Sequence, residues 1–329
     1  MKIVYYTSLH SEPLKSFLYK NFPRRDRRYL DWWIEQSQNI EKGLQDRTFM
    51  IVDESKQIVA CSTALWTKMR NRSKVLDMYW EGNTIVDPNY RGKGIGRMIY
   101  VQMDKFRDRC TTGFTEAAYA IQPKIIKNFK KLSSVYVYIS LNPYFIKSLF
   151  DRLAGKKEPN WMFSHKMEVN HITFDRVDDI ESFQFTVDGF WQNDEVELIR
   201  DKDFIKRRFV DIYKKYIIYQ AKVKNETVGY FVVRPAKYKG FNLLALVDFR
   251  FKNERVHKSI MKAMNIIAIK NRIGMCITLT SLKKKRLSFE CTIRMPKVLY
   301  GGTTMAELKE DDFILITSAD SDLDFVYYG

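Results

Sequence analysis

Two stretches of this chain run through the same succession of patterns, and that repetition constrains the fold more than any other feature. Ile3-Val4-Tyr5-Tyr6 reads as a strand and leads through a polar turn into a helical stretch ending Leu14-Lys15-Ser16-Phe17. Ile172-Thr173-Phe174-Asp175 leads in the same way into Asp178-Asp179-Ile180-Glu181-Ser182-Phe183. Aromatic-rich helical segments follow, Tyr29-Leu30-Asp31-Trp32-Trp33 in one series and Phe204-Ile205-Lys206-Arg207-Arg208-Phe209 in the other. Each series then turns a hairpin. Phe49-Met50-Ile51-Val52 returns through Asp53-Glu54-Ser55-Lys56 into Ile58-Val59-Ala60, and Tyr216-Ile217-Ile218-Tyr219 returns through Lys224-Asn225-Glu226 into Val228-Gly229-Tyr230-Phe231-Val232.

A further strand closes each series, Thr84-Ile85-Val86 with Asp87-Pro88 after it, and Ala245-Leu246-Val247-Asp248-Phe249. An amphipathic helix follows both. The first carries Ile95, Met98, Ile99, Met103 and Phe106 on one face, the second Val256, Ile260, Ala263, Met264 and Ile267. Spacings of three and four make one apolar stripe per helix, and such a stripe needs a sheet to cover. The shared order of strand, helices, hairpin, strand, helix and strand predicts a duplicated α+β (α/β) unit. The polar stretch Gly155-Lys156-Lys157-Glu158-Pro159-Asn160 marks the boundary region, which gives domains of residues 1–165 and 166–329.

Composition bounds the rest. With 45% hydrophobic and 29% charged residues, the 329-residue chain has enough apolar surface to form cores, and disorder over most of its length is excluded. Its 56 Lys and Arg against 39 Asp and Glu leave a net charge of +17, which points to an anionic partner: nucleic acid, a membrane surface or a phosphorylated small molecule. Cys61, Cys110, Cys276 and Cys291 form no C-x-x-C pair, and only four His are present, so no zinc site of ordinary spacing is expected, and the thiols read as free and buried. The N-terminus meets polar residues too early for a secretory signal, and no apolar run approaches the ~20 residues of a membrane span. The expectation is a soluble, cytoplasmic protein.

The chemistry concentrates in Ile85-Val86-Asp87-Pro88-Asn89-Tyr90-Arg91-Gly92-Lys93-Gly94-Ile95-Gly96-Arg97-Met98. Pro88 cannot continue a ladder and takes the chain out of the sheet. Glycines let backbone N–H groups approach an anion, and a helix N-terminus adds unpaired donors and partial positive charge. Arg91, Lys93 and Arg97 add full charges. This is a pyrophosphate cradle. It is not the nucleotide loop G-x-x-x-x-G-K-[ST], because position 87 is Asp and position 94 is Gly, nor the dinucleotide fingerprint, because position 97 is Arg.

The segment instead resembles the signature V-x-P-x-[YF]-R-G-x-G-[IL]-G of the GNAT superfamily of acyl-CoA N-acyltransferases, met here by Val86, Pro88, Tyr90, Arg91, Gly92, Gly94, Ile95 and Gly96. The resemblance implies two tandem GNAT-like domains, each a mixed, mostly antiparallel twisted sheet flanked by helices. It extends to Phe114–Ala120 as a fifth strand, Ile121–Leu132 as a fourth helix and Val135–Ile139 as a later strand. The tyrosine usual near the end of that helix is replaced here by Lys130, after Phe129. No glycine lies between Gly240 and Gly274, so the second domain resembles a degenerate copy without a coenzyme loop, serving an acceptor-site or structural role.

The resemblance implies direct transfer of an acetyl group from acetyl-CoA to a primary amine in a ternary complex. Ile85, Val86, Arg91, Gly92, Lys93, Gly94, Ile95, Gly96 and Arg97 are then the coenzyme-binding residues, with a backbone N–H near Val86 as oxyanion donor. The family's base position, about four residues before Val86, falls on Gly82. Neighbouring Glu81 is the favoured base if a bulge turns it inward, and Glu116 is the second candidate. Tyr138 is a candidate acid for the departing thiolate, against a role as a packed aromatic. Amino sugars and their nucleotide-linked forms are candidate acceptors, with Trp66, Trp80 and Trp191 as candidate cleft walls.

Two other readings use the same charge. A tandem-GNAT aminoacyl-tRNA-dependent peptidyltransferase shares the duplication but lacks the coenzyme loop. A non-catalytic nucleic-acid-binding protein would use Lys283-Lys284-Lys285-Arg286, although no aromatics interleave with that cluster.

Overall fold

The computed structural model describes residues 1–37, 47–72, 74–114, 116–155, 159–183, 196–283, 292–310, 312–320 and 323–324. Trp191, Lys284–Arg286 and Cys291, singled out above, lie outside the described residues. In chain order the regular elements are β1 (Lys2–Tyr5), α1 (Ser11–Asn21), α2 (Arg27–Ser37), β2 (Phe49–Val52), β3 (Ile58–Asn71), β4 (Lys74–Val86), α3 (Ile95–Met103), β5 (Arg109–Phe114), α4 (Glu116–Ile125) and β6 (Lys130–Leu141). Then come α5 (Phe145–Leu153), β7 (Lys166–Val169), β8 (Ile172–Arg176), β9 (Val196–Leu198), α6 (Lys202–Ile205), β10 (Ile217–Val223), β11 (Glu226–Tyr238), β12 (Phe241–Phe251), α7 (Glu254–Lys270), β13 (Met275–Thr280) and β14 (Thr292–Thr303).

The chain divides into two compact units. One is Met1–Ser133 with Leu299–Phe313; the other is Ser134–Val298 with Ile314–Gly329. The expected divide at 165/166 is therefore displaced to 133/134, and the first unit takes back a segment from near the C-terminus. Close packing explains the return. A Cβ on Gly302 would stand 2.2 Å from the Phe129 ring, and one on Gly301 would stand 3.1 Å from Leu132 Cβ and 3.2 Å from the Thr111 carbonyl. Only glycines let this strand lie so close.

In the first unit β1, β2, β3 and β4 pair in antiparallel succession, β4 pairs β5 in parallel, and β14 adds to β5 antiparallel with Tyr300 opposite Phe114. The α3 stripe closes one face. Ile95, Ile99, Met103 and Phe106 pack against Phe49, Ile51, Val59 and Ala60, with Met98 partly buried beside them. Each large apolar side chain so buried contributes roughly 1.5–3 kcal/mol.

In the second unit β6, β13, β12, β11, β10, β8 and β7 lie side by side, antiparallel except for β12 with β13. Val256, Ile260, Ala263, Met264 and Ile267 of α7 are all buried, as the stripe predicts. Both units have a mostly antiparallel mixed sheet with helices.

Three local expectations are corrected. Phe114–Ala120 is not a strand: β5 ends at Phe114 and α4 starts at Glu116. Ala-rich sequence with a carboxylate in the first turn favours a helix there. The expected helix to Leu132 ends at Ile125, after Pro123, and Lys130 already belongs to β6. Asp178–Phe183 forms a short 3-10 turn at Ile180–Ser182, with Asp179 accepting from the Glu181 N–H, in place of a full helix. Cys61, Cys110 and Cys276 are free and buried, and burial pushes the Cys110 and Cys276 thiols up to about 12.

Candidate functional site

The site begins where β4 loses a neighbour. Its parallel pairing with β5 runs Tyr79–Arg109, Trp80–Cys110, Glu81–Thr111 and ends there, while β4 continues along β3 to Val86. Between those points β4 bulges. Gly82 pairs Thr63 and Ile85 pairs Cys61, so three steps on β4 face two on β3, and Asn83 takes φ +50°. Asn83 is held by Arg25, whose guanidinium donates to Oδ1, and by the Tyr29 hydroxyl at 3.3 Å.

Beyond the bulge the Asp87 N–H donates to the Val59 carbonyl at 2.9 Å. Alternation along a strand then directs the Val86 N–H to the opposite edge of β4, the side on which pairing with β5 has ended.

Asp87 builds the next turn. Its side chain accepts from the Asn89 N–H at 3.0 Å and caps a 3-10 turn over Pro88–Tyr90. Lys20 Nζ stands 2.8 Å from Asp87 Oδ2, and that bond, with the Asn89 N–H, holds the carboxyl below the usual range. The Tyr90 hydroxyl donates to Asp53 Oδ2 at 2.8 Å and ties the loop to the β2–β3 turn. Arg91 Nε donates to the Val86 carbonyl at 3.3 Å, and Lys93 Nζ lies 4.8 Å from the Tyr90 ring centroid. The loop is thus a braced structure.

Its glycines leave one face bare. Gly92 and Gly94 have φ of +77° and +76°, and Gly94 is the N-cap of α3 with no side-chain cap. A Cβ built on Gly92, Gly94 or Gly96 would meet nothing within 4 Å. Space is open at these glycines beside the exposed side chains of Arg91, Lys93 and Arg97, where the first N–H groups of α3 lack intrahelical partners. An anion of pyrophosphate size fits such a cradle by charge and by donor geometry. Among the described residues, no three His, Cys, Asp or Glu side chains gather as a metal-binding group.

A polar cluster lies where β4 and β5 part. Glu81 is buried, with Oε1 accepting from Thr84 Oγ1 at 2.7 Å and Ser62 Oγ at 3.2 Å, and Oε2 3.8 Å from Arg109 Nε. Burial pulls the Arg109 pKa down and Glu81 opposes this. Tyr100, on α3, joins the cluster: burial raises its pKa, a Gln122 hydrogen bond lowers it, and the Glu81 charge raises it. Sequence reading missed Arg109, Tyr100 and Gln122. No local motif marks them, and only the crossing of β5, α3 and α4 over β4 brings them together.

Gly82 has its own reason to be glycine. A Cβ there would stand 2.5 Å from the Trp33 ring, so no carboxylate can occupy this position while α2 packs as it does.

The other candidates lie on other elements. Glu116 is exposed in the first turn of α4 rather than on a strand. Tyr138 belongs to the second unit, buried, with its hydroxyl donating to the Leu282 carbonyl at 2.9 Å. Lys130, in the position of the missing tyrosine, donates to the carbonyls of Met305, Ala306 and Leu308 at 2.9, 3.1 and 2.6 Å and so clamps the returning segment. Trp80 is core, and Trp66 is half-buried with its Nε1 donating to Asp77 at 2.6 Å.

The second unit repeats the geometry and closes it. β12 also bulges, between the partners of Val232 and Val233, and pairs β13 only from Leu244 to Leu246. The edge beyond is taken by the chain's own C-terminal segment. Ala319 N–H and Ser318 Oγ both donate to the Val247 carbonyl, at 3.0 and 2.9 Å, and Thr317 Oγ1 donates to Asp248 at 2.7 Å. Buried Arg200 joins Asp248 and Asp320 at 2.9 and 2.6 Å. The α7 N-terminus is capped by Asn253, which accepts from the Val256 N–H at 3.1 Å, and Glu254 puts a carboxylate in its first turn. Neither a parted strand edge nor bare helix donors are offered to an anion there.

Comparison with solved structures identifies the fold. A probable N-acyltransferase from Enterococcus faecalis, of unknown function, aligns with a TM-score of 0.58 at 11% identity, covering 92% of this chain and 72% of that one. A GCN5-related N-acetyltransferase from Anabaena variabilis gives 0.55 at 10% identity, covering 92% and 71%. N-myristoyltransferase of Saccharomyces cerevisiae with bound myristoyl-CoA gives 0.55 at 12% identity, covering 99% and 87%. The chain has the fold of the GNAT superfamily. No family model and no curated protein matches it.

Proposed function

We propose that this protein is an acyl-CoA-dependent N-acyltransferase, with acetyl-CoA as donor and a primary amine as acceptor. The observation that carries the reading is the bare-faced run Gly92–Gly96 at the N-terminus of α3, beside a strand whose pairing with β5 ends at Glu81 among the described residues. The acyltransferase neighbours support acyl transfer as the class.

Gly92, Lys93, Gly94, Ile95 and Gly96 would hold the pyrophosphate through backbone N–H groups, with Arg91, Lys93 and Arg97 supplying charge. The coenzyme supplies an activated acyl thioester. The Val86 N–H, directed off the free edge of β4, is the donor for the oxyanion that develops on the acyl carbonyl, with Ile85 setting the strand register behind it. The attacking ammonium must lose a proton. Glu81 is the favoured acceptor of that proton, reached through the exposed Thr84 hydroxyl that bonds to it. Glu116 is the second candidate base, and Tyr138 is a candidate acid for the departing thiolate. Amino sugars and nucleotide-linked amino sugars are the favoured acceptor class, since an anionic acceptor suits the net charge of +17. The first unit is read as catalytic, and the second, with its closed cleft, as an acceptor-side or structural copy. The protein is read as cytoplasmic.

The test is acetyl-CoA-dependent thiol release across a panel of primary amines. Release stimulated by one amine class supports the reading. No stimulation by any amine, together with salt-sensitive binding of charged tRNA, would favour peptidyl transfer instead.

A further inference from the structure

One face of α5 turns toward the rest of the second unit and meets a hollow there. Lys147, Ser148, Asp151 and Arg152 share that face by helical spacing, and they form one wall of a cavity of about 360 Å³. The β11 strand supplies Lys237, and the turn after α7 supplies Arg272. All these residues belong to one compact unit. Four cations from three elements thus stand against a single lining carboxylate, Asp151, which is itself paired to Lys147. A positive excess in a concave surface focuses its field on an anion.

The walls are braced. The Arg152 guanidinium lies 4.5 Å from the Phe241 ring. The β11–β12 hairpin turns through Lys239 and Gly240, at φ +49° and +81°, the two-residue turn that needs both residues left-handed. A Cβ on Gly240 would stand 3.3 Å from Arg152 Nε, so glycine lets the tip close on the guanidinium. Asn271 accepts from the Met162 N–H at 2.6 Å and donates to the carbonyls of Met162 and Ile267 at 2.9 and 2.8 Å. The cations do not serve the carbonyl end of α7. The carbonyls of Ile267, Ala268 and Ile269 already accept from the N–H groups of Asn271, Ile273 and Arg272, at 3.2, 2.9 and 2.9 Å.

The rest of the lining says what body the anion carries. Among the described residues no aromatic side chain lines the cavity, and the apolar ones are Pro159 and Ile273 alone. A nucleobase finds nothing to stack on there. Ser148 is only 7% exposed, and its Oγ accepts from the Gly274 N–H at 2.8 Å, which leaves the hydroxyl proton for an oxygen in the cavity. Asn242 adds an amide to the wall. We propose that this cavity binds a phosphate monoester of a small polyhydroxylated molecule, a sugar phosphate in kind. Arg152 and Arg272 supply the planar donor pairs that suit phosphate oxygens, and the uncharged polar groups meet the hydroxyls. The volume lies in the range of small-molecule sites. The proposal uses residues of the second unit alone and does not depend on the acyl-transfer reading.

Titration calorimetry of the full chain at low salt tests it, with glucose 6-phosphate, ribose 5-phosphate and glycerol 3-phosphate as probes and glucose and inorganic phosphate beside them. At least one ester should bind, at least about tenfold more tightly than inorganic phosphate, and glucose should give no heat. The variant Lys237→Ala/Arg272→Gly removes two charges at exposed positions, and glycine suits the φ of +56° at position 272, so the melting temperature should hold. Its affinity for the ester should fall by at least about thirtyfold. Lys2→Ala/Lys74→Ala removes as much charge from exposed positions of the first unit and should stay within about twofold of the parent. No binding of any ester, glucose or inorganic phosphate binding as tightly as the best ester, or undiminished affinity in Lys237→Ala/Arg272→Gly overturns the proposal. So does an equal loss in the two double variants, which would reduce the effect to net charge.

Discussion

Thr84 donates its hydroxyl to Glu81 Oε1 at 2.7 Å from three residues further along the same strand. In a regular strand these two side chains would point to opposite faces. The bulge at Asn83 puts them on one. An exposed hydroxyl is thereby linked to a buried carboxylate that also balances Arg109. Glu81→Gln should cost about 3 kcal/mol in urea unfolding, because it takes from buried Arg109 the larger of its two counter-charges, Glu81 and Asp108. In the reading of Glu81 as base, turnover per folded molecule falls by at least about a hundredfold as well. Thr84→Val should cost only about 1 kcal/mol yet slow turnover. Full turnover per folded molecule in Glu81→Gln would leave Glu81 a structural counter-ion.

Asp87 tests whether the loop must be braced. Asp87→Ala removes the cap on the Pro88–Tyr90 turn and should weaken acetyl-CoA binding by about 1 kcal/mol in calorimetry, the usual worth of a cap. Asp87→Asn keeps an acceptor for the Asn89 N–H and should bind nearly as the parent does. Equal loss in both would assign the effect to the Lys20 ion pair.

Gly82 reports on the packing of α2. Gly82→Ala places a methyl group in the space of the Trp33 ring and should destabilise by about 1–3 kcal/mol. Adding Trp33→Leu should recover part of that loss. Thermal melts of the two single variants and the double variant read the coupling, and strict additivity would remove the contact as the cause.

The second unit should be acid-labile over a defined window. Asp248 is fully buried, and although burial alone would raise its pKa, Arg200 and Arg250 hold it at about 2, below the ordinary 3.8. A carboxyl depressed in the folded state stabilises above its unfolded pKa and loses that contribution as pH falls toward the folded one. Unfolding monitored from pH 5 down to pH 2 should therefore show stability decaying below about pH 4. Asp248→Asn should flatten that decay and lower stability at neutral pH. An unchanged acid profile in the variant would contradict the assignment.

Much of the fold was legible because periodicity is local. The apolar stripes of α3 and α7, the two hairpins and the strand before each helix all follow from spacing, and the glycine run of residues 92–96 follows from what glycines permit. What was not legible is long-range. The return of β14 to β5 depends on Gly301 and Gly302 meeting Leu132, Thr111 and Phe129, and nothing in the sequence near residue 300 announces those partners. The Glu116 segment was misread because a run of Ala and Tyr after a short strand serves either geometry. Arg109 and Tyr100 escaped notice because their role comes from strands and helices crossing, and the clamping role of Lys130 did so because its three carbonyl acceptors lie near residue 305.

The central claim is that the bare face of residues 92–96 is an acyl-CoA cradle, and Gly96→Glu tests it most directly. Gly92 and Gly94 sit at positive φ, where any side chain strains the backbone, whereas Gly96 does not, and its Cβ would enter open space. Titration calorimetry should show acetyl-CoA binding to the parent protein. In Gly96→Glu the affinity should fall by at least about thirtyfold through charge repulsion and occlusion, at an unchanged melting temperature. Equal affinity in the two proteins, or no binding to the parent, would contradict the account.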